Sequence, residues 1–132
     1  MKNRFFLNIS VFLIFISILF GFNGSAFARK HKEFPIFVVV DFGPAGKPRH
    51  EEKLHVEKGT TAKEAVSQIF PIMSGKTCCS FREIMEIGGV RVDPAKNRWW
   101  ICTLNGSKKF SPTRKKLKLG DRIEWKFIEE QQ

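Results

Sequence analysis

An α+β fold, with a mixed sheet of four to five strands and one helix packed across it, is what three features of this 132-residue sequence predict. Phe34 to Phe42 is a nearly unbroken aromatic and β-branched run, Thr61 to Phe70 carries a helix start followed by a single apolar stripe, and Arg122 to Phe127 alternates strictly between polar and apolar residues. A continuous apolar run reads as a strand covered on both faces, and strict alternation as a strand with one face in the core.

Taken in order, Ile36, Phe37, Val38, Val39 and Val40 form the expected central strand, and Gly43-Pro44-Ala45-Gly46-Lys47-Pro48 ends it in a loop. Glu51 to Val56 offers a more polar hairpin partner nearer an edge, with Leu54 and Val56 on one face and His55 on the other. Thr61-Ala62-Lys63-Glu64 fits a capping box, in which the Thr hydroxyl and the Glu carboxylate each satisfy a backbone N–H that the first turn leaves free. Ala62, Ala65, Val66, Ile69 and Phe70 then recur at helical spacing for about two turns until Pro71 stops the helix. Residues 71–80 read as a loop. Residues 81–92 are ambiguous, since Ser80-Phe81-Arg82-Glu83 suits a helical cap while Met85, Ile87 and Gly88-Gly89 suit a strand and turn.

From Trp99 the pattern recovers: Trp99, Ile101 and Thr103 face one way and Trp100, Cys102 and Leu104 the other. Lys118-Leu119-Gly120-Asp121 turns into the last strand, where Ile123, Trp125 and Phe127 point inward. Two strands, a helix and at least two more strands, with the first and last strands central, is the β-grasp order.

The chain opens as an export signal. Met1-Lys2-Asn3-Arg4 is a short basic start, Phe5 to Phe20 is apolar apart from Asn8, Ser10 and Ser17, and Ala26-Phe27-Ala28 supplies small residues at a cleavage site. A retained membrane anchor is the alternative, because such a run approaches the ~20 residues needed to span a bilayer. No Cys follows it to invite lipoprotein processing. The expected organisation is a signal peptide at 1–28, a charged lead-in at 29–33, one domain at 34–128 and a tail at 129–132, in the periplasm or secreted. Cleavage leaves 104 residues, enough for a single core without obligatory staples. Losing Lys2 and Arg4 lowers the formal charge only from +10 to +8. That surface favours anionic partners, but export excludes nucleic acid as the expected one.

Cys78, Cys79 and Cys102 are the three thiols, and in an exported protein an oxidised pair is the default. Cys102 sits in a strand and Cys78-Cys79 in a loop that passes near the sheet, so a bridge from Cys102 to either is expected, leaving one thiol free. Closing a loop of about 25 residues contributes roughly 3 kcal/mol before strain. A Cys-based metal site lacks a fourth ligand, and His31, His50 and His55 read as surface histidines, His50 and His55 falling on opposite faces. No nucleophile has a base and an orienting acid, and no Gly-rich phosphate loop is present, so the chain does not read as an enzyme.

Two further features carry binding chemistry. Lys108, Lys109, Arg114, Lys115, Lys116 and Lys118 place six cations in eleven residues. As structure this is a solvated loop that discourages pairing at a sheet edge; as function it is a patch for phospholipid, lipopolysaccharide or another envelope polyanion, or for an anionic membrane surface. Trp99 and Trp100 are adjacent in a strand, so one of them must leave the core face, and an exposed Trp is a large apolar surface of the kind found in ligand pockets and contact hot spots. Asn105-Gly106-Ser107 matches a glycosylation sequon but reads better as the positive-φ turn that ends the strand.

Glu57-Lys58-Gly59-Thr60-Thr61-Ala62-Lys63-Glu64-Ala65, Trp99-Trp100-Ile101-Cys102-Thr103-Leu104-Asn105-Gly106 and the Gly120-Asp121 turn into the last strand, in this order and spacing, resemble the small β-grasp domains related to the C-terminal domain of transcobalamin and intrinsic factor. The resemblance runs from about Val56 to Phe127 and, with the leader, suggests a bacterial secreted family of that type. It implies a non-catalytic binding role on the sheet face or its loops, with Trp99 and Trp100 matching the aromatic pair before Asn-Gly. Cobalamin or another tetrapyrrole is implied as ligand by this resemblance alone; the residues themselves call for no cofactor. In those carriers a large helical barrel forms the other half of the clamp, and this chain has none. A small molecule, an envelope component or a larger binding protein are therefore the partners to expect.

Export makes a prediction of its own. N-terminal sequencing of protein from the producing cell is expected to begin at Arg29, and a membrane-bound species that keeps Met1 would contradict it.

Overall fold

Apolar residues in Phe34 to Val40 pair on both sides, and the strand they form is the spine of the molecule. In the computed structural model, which describes residues 32–75 and 84–131, β1 (Glu33–Asp41) runs antiparallel to β2 (His50–Glu57) and parallel to the last strand, β7 (Arg122–Glu129). The edge beyond β7 is filled by β6 (Arg98–Leu104), giving a four-stranded mixed sheet in the order β2-β1-β7-β6 with the first and last strands at its centre. One face of this sheet buries Ile36, Val38, Val40, Ile123, Trp125 and Phe127 together with Ala62, Ala65 and Val66 of the helix α1 (Ala62–Ser67).

The helix is shorter than its apolar stripe. Regular helix ends at Ser67, and Gln68, Ile69 and Phe70 close the last turn by donating to the carbonyls of Ala65 and Val66 before Pro71. At its start the capping box is formed in full. Thr61 Oγ1 accepts from the Glu64 N–H at 3.3 Å, and the Glu64 carboxylate accepts from the Thr61 N–H at 2.7 Å. A helix this short is marginal alone, so it depends on the cap and on the sheet beneath it.

Beyond the helix the structure corrects the expected loop over 71–80 and the single sheet of four to five strands. β3 (Ile72–Ser74), β4 (Ile84–Ile87) and β5 (Val90–Arg91) make a second, three-stranded sheet in the order β3-β4-β5. The strand reading of 84–92 therefore holds, with Gly88 (φ 58°) and Gly89 (φ 81°) supplying the left-handed turn that a β4–β5 hairpin requires. Ile72 escaped notice because three residues are too few for alternation to register.

The two sheets meet through rings. Phe42, just past β1, stands edge-on to Phe70 at 5.5 Å and to Trp100 at 5.6 Å, and Trp100 tilts against Phe127 at 5.1 Å. The Trp100 indole N–H donates to the Val90 carbonyl at 2.8 Å, which ties β6 of the large sheet to β5 of the small one. Gly43 has no room for a side chain, since a Cβ there would stand 2.3 Å from the Phe127 carbonyl oxygen. The expected leader at 1–28 and Cys78 and Cys79 lie outside the described residues.

Two outcomes are expected in denaturant unfolding. Trp100→Phe keeps most of the ring packing but leaves the buried Val90 carbonyl without its donor, and should cost about 1–3 kcal/mol. Thr61→Ala should cost about 1 kcal/mol by removing the cap. The Glu64 carboxyl is held below its ordinary pKa, first by the Thr61 backbone N–H and then by its hydroxyl. A depressed carboxyl contributes stability that is present above its unfolded-state pKa and lost as pH falls through the folded one. Acidification should therefore weaken the wild type more than Glu64→Gln, and equal acid sensitivity of the two would contradict this.

Candidate functional site

The strand β6 sends its two adjacent tryptophans to opposite faces, and the structure decides between them. Trp100 is 4% exposed, packed among Phe42 and Phe127 with its N–H bonded, so it belongs to the core. Trp99 lies half-buried on the outer face, the one away from the helix. Its indole N–H donates to Asn97 Oδ1 at 3.0 Å. Asn97 takes a left-handed φ of 54° after the short turn Pro94–Lys96, and its side-chain amide donates to the Glu130 carbonyl at 2.6 Å. The ring is thus fixed by a residue that is itself fixed. Ile128, the register partner of Trp99 on β7, and Ile101, two residues on along β6, make with it an apolar corner of the outer face. Asn97 is a site residue that sequence reasoning missed, although an Asn two positions before a strand aromatic is a usable sign of such a turn.

The middle of the outer face carries a cluster of paired charges. Val39 is 1% exposed there, between its register partners Glu51 and Glu124. Arg49 pairs with both carboxylates, at 2.7 Å and 3.8 Å, and its guanidinium spans the gap between them. Arg122 also reaches Glu51 at 3.5 Å, and Lys126 reaches Asp41 at 3.8 Å. Among the described residues, the expected cover on the second face of β1 is supplied at Val39 by ion-paired side chains; Phe37, one pleat along, is 43% exposed.

At the opposite end of the sheet from Trp99 lies the basic loop. Its backbone is anchored: Leu117 is buried and donates to the Thr60 carbonyl, Lys63 donates to the Pro112 carbonyl, and Phe110 packs against the core. Lys108, Lys109, Arg114, Lys115, Lys116 and Lys118 are all exposed, and none forms a salt bridge among the described residues. The turns that flank the loop lock to each other. Asn105 (φ 50°) donates from its amide to Asp121 Oδ1 at 2.9 Å and accepts from the Arg122 N–H, and Asp121 also accepts from the Lys118 N–H. Asn105 is committed to this turn.

Cys102 is a free thiol buried under the sheet, its pKa pushed well above the ordinary range by loss of hydration, while the two partners expected for it, Cys78 and Cys79, lie outside the described residues. His50 sits 3.0 Å from the Glu52 carboxylate with its ring edge-on to Phe70, and His55 is exposed. Among the described residues no three His, Cys, Asp or Glu side chains gather as a metal site would need.

No family model matches the chain, and no curated protein does. Solved structures do. One is a provisionally assigned metal-binding protein from Ruminococcus gnavus, 19% identical, matched over 75% of this chain and 100% of its own, with a TM-score of 0.51. Another is haptocorrin in complex with cobinamide, 10% identical, matched over 76% of this chain with a TM-score of 0.59. The match spans only 26% of haptocorrin. At these identities the likeness is one of fold: this α+β architecture is shared with a domain-sized part of a corrinoid-binding protein and with the whole of a small bacterial one.

Proposed function

We propose that this protein is an exported, non-catalytic ligand-binding module of the β-grasp type, akin in architecture to the C-terminal domain of transcobalamin and intrinsic factor, and that its small-molecule surface is the apolar corner around Trp99. The observation that carries this reading is the state of Trp99. A large ring is held half-buried by Asn97 on a sheet face whose centre carries charged side chains paired with one another. Immobilising a rotamer-rich side chain costs about 0.5–1.5 kcal/mol when it occurs during binding, and a ring already fixed avoids that cost.

The sheet order and the two solved neighbours, both described as binding proteins, support the same reading. Haptocorrin is about four times longer than the matched part. A larger binding protein that closes over the ligand from the other side completes the proposal, as does the reading of residues 1–28 as an export signal.

Cobinamide is the probe. Titration is expected to show binding by calorimetry and by quenching of indole fluorescence, with little dependence on salt. Trp99→Ala should weaken it by on the order of 1–3 kcal/mol. Absence of cobinamide binding, or binding that Trp99→Ala leaves unchanged, would overturn the assignment of this corner.

A further inference from the structure

The end of the molecule opposite Trp99 is a second surface with different chemistry. Four backbone contacts gather it: Leu117 N–H to the Thr60 carbonyl, a bridge between Thr61 and Lys116, Lys63 N–H to the Pro112 carbonyl, and Gly120 N–H to the Pro35 carbonyl. They bring the turn bearing Lys58, the first residues of α1 with Lys63, the start of β1 and the whole 108–118 loop to one end of the sheet. The loop itself contains no carboxylate. Of the acids that share this end, Glu64 accepts from Thr61 and Asp121 from Lys118 and Asn105, which turns both toward the backbone. Glu33 and Glu57 are register partners set off at the β1–β2 edge. Lys116 is near enough to help lower the Glu64 carboxyl, but none of the six loop cations forms an ion pair within 4.0 Å among the described residues, and Leu117 and Phe110 hold their backbone in place.

Charge alone does not select among polyanions. The selecting feature is Leu119, 72% exposed between Lys118 and Gly120 at the tip of the Lys118–Asp121 turn. A leucine in that position gains nothing from a dissolved polyanion, whereas beside lysines it suits a bilayer interface, where cations meet headgroup phosphates and one apolar side chain enters the acyl boundary. The rigid turn that presents it is kept by Asp121 and by Gly120 at φ 78°. We infer that this end docks on an anionic lipid bilayer, with the 108–118 lysines on the headgroups and Leu119 inserted.

The test is co-sedimentation of the exported protein with vesicles of phosphatidylcholine and phosphatidylglycerol in equal parts, against phosphatidylcholine alone, with dextran sulfate as a soluble competitor. Binding only to the anionic vesicles is expected, falling steeply as added salt shortens the Debye length from ~10 Å toward ~3 Å. Lys115→Gln with Lys116→Gln should lower the partition coefficient about tenfold or more. Leu119→Ser, which removes no charge and touches no core residue, should lower it by about tenfold. Lys96→Gln, at the other end of the sheet, should change it little. Equal binding to neutral vesicles would overturn the proposal. So would binding that follows the lysines and dextran sulfate but ignores Leu119, which would make the partner a soluble polyanion. Since neither the Lys115 and Lys116 variant nor Leu119→Ser touches the Trp99 corner, failure here leaves the cobinamide result standing, and the reverse.

Discussion

The hydrogen bond from the Trp100 indole to the Val90 carbonyl is the contact on which the rest of the arrangement depends. It acts with the paired backbone bonds between Asp93 and Arg98 and with Lys47 Nζ, which donates to the Gly88 carbonyl at 2.6 Å, whereas the apolar contact between the sheets is not directional. The bond fixes register, and the Phe42, Phe70 and Phe127 rings around it supply the burial. Because β6 alternates, placing Trp100 in this joint forces Trp99 onto the outer face. The half-buried ring of the candidate site is therefore a geometric consequence of the core, and Asn97 turns that consequence into a defined surface by holding the indole N–H.

The outer face shows how neighbouring side chains can shield the middle of a central strand. Surface ion pairs are individually worth about 0–1 kcal/mol, so the Arg49, Glu51, Glu124 and Arg122 cluster is a weak source of stability. Its effect is steric. By bridging the two neighbours of Val39 it seals the middle of the central strand against water and against other ligands. Apolar side chains also lie on that face at the Trp99 corner, which is half-buried, and at Phe37, which is exposed.

Much of this was legible in the sequence, and the reasons are physical. The β1 run, the capping box and the alternation of β7 are local patterns enforced by backbone periodicity, and each appears where it was expected. Long-range partners escaped. Nothing in the sequence says that Arg49 reaches β7, that Ile72 starts a strand, or that Val90 accepts from Trp100, because those contacts exist only once the fold has brought the segments together. The choice between Trp99 and Trp100 failed for the same reason: alternation shows that they part, and only the position of the second sheet shows which one is covered. Leu119 was hidden differently. A single leucine among lysines reads as loop, and its exposure becomes informative only when the turn is seen to be rigid.

The two candidate surfaces are kept apart by the sheet itself. β6 begins beside Trp99 and ends at the Asn105 turn that locks to Asp121. With a rise of about 3.3 Å per residue, its length sets the surfaces on the order of 20 Å apart. They share no side chain, and sites more than about 7–10 Å apart without common partners contribute additively. A domain docked on a bilayer by its 108–118 end would then hold the Trp99 corner at the far end of the sheet, clear of the headgroups and open to a ligand or to a larger protein. In this geometry attachment and ligand capture do not compete, and a stiff sheet between them is sufficient to present one surface by means of the other.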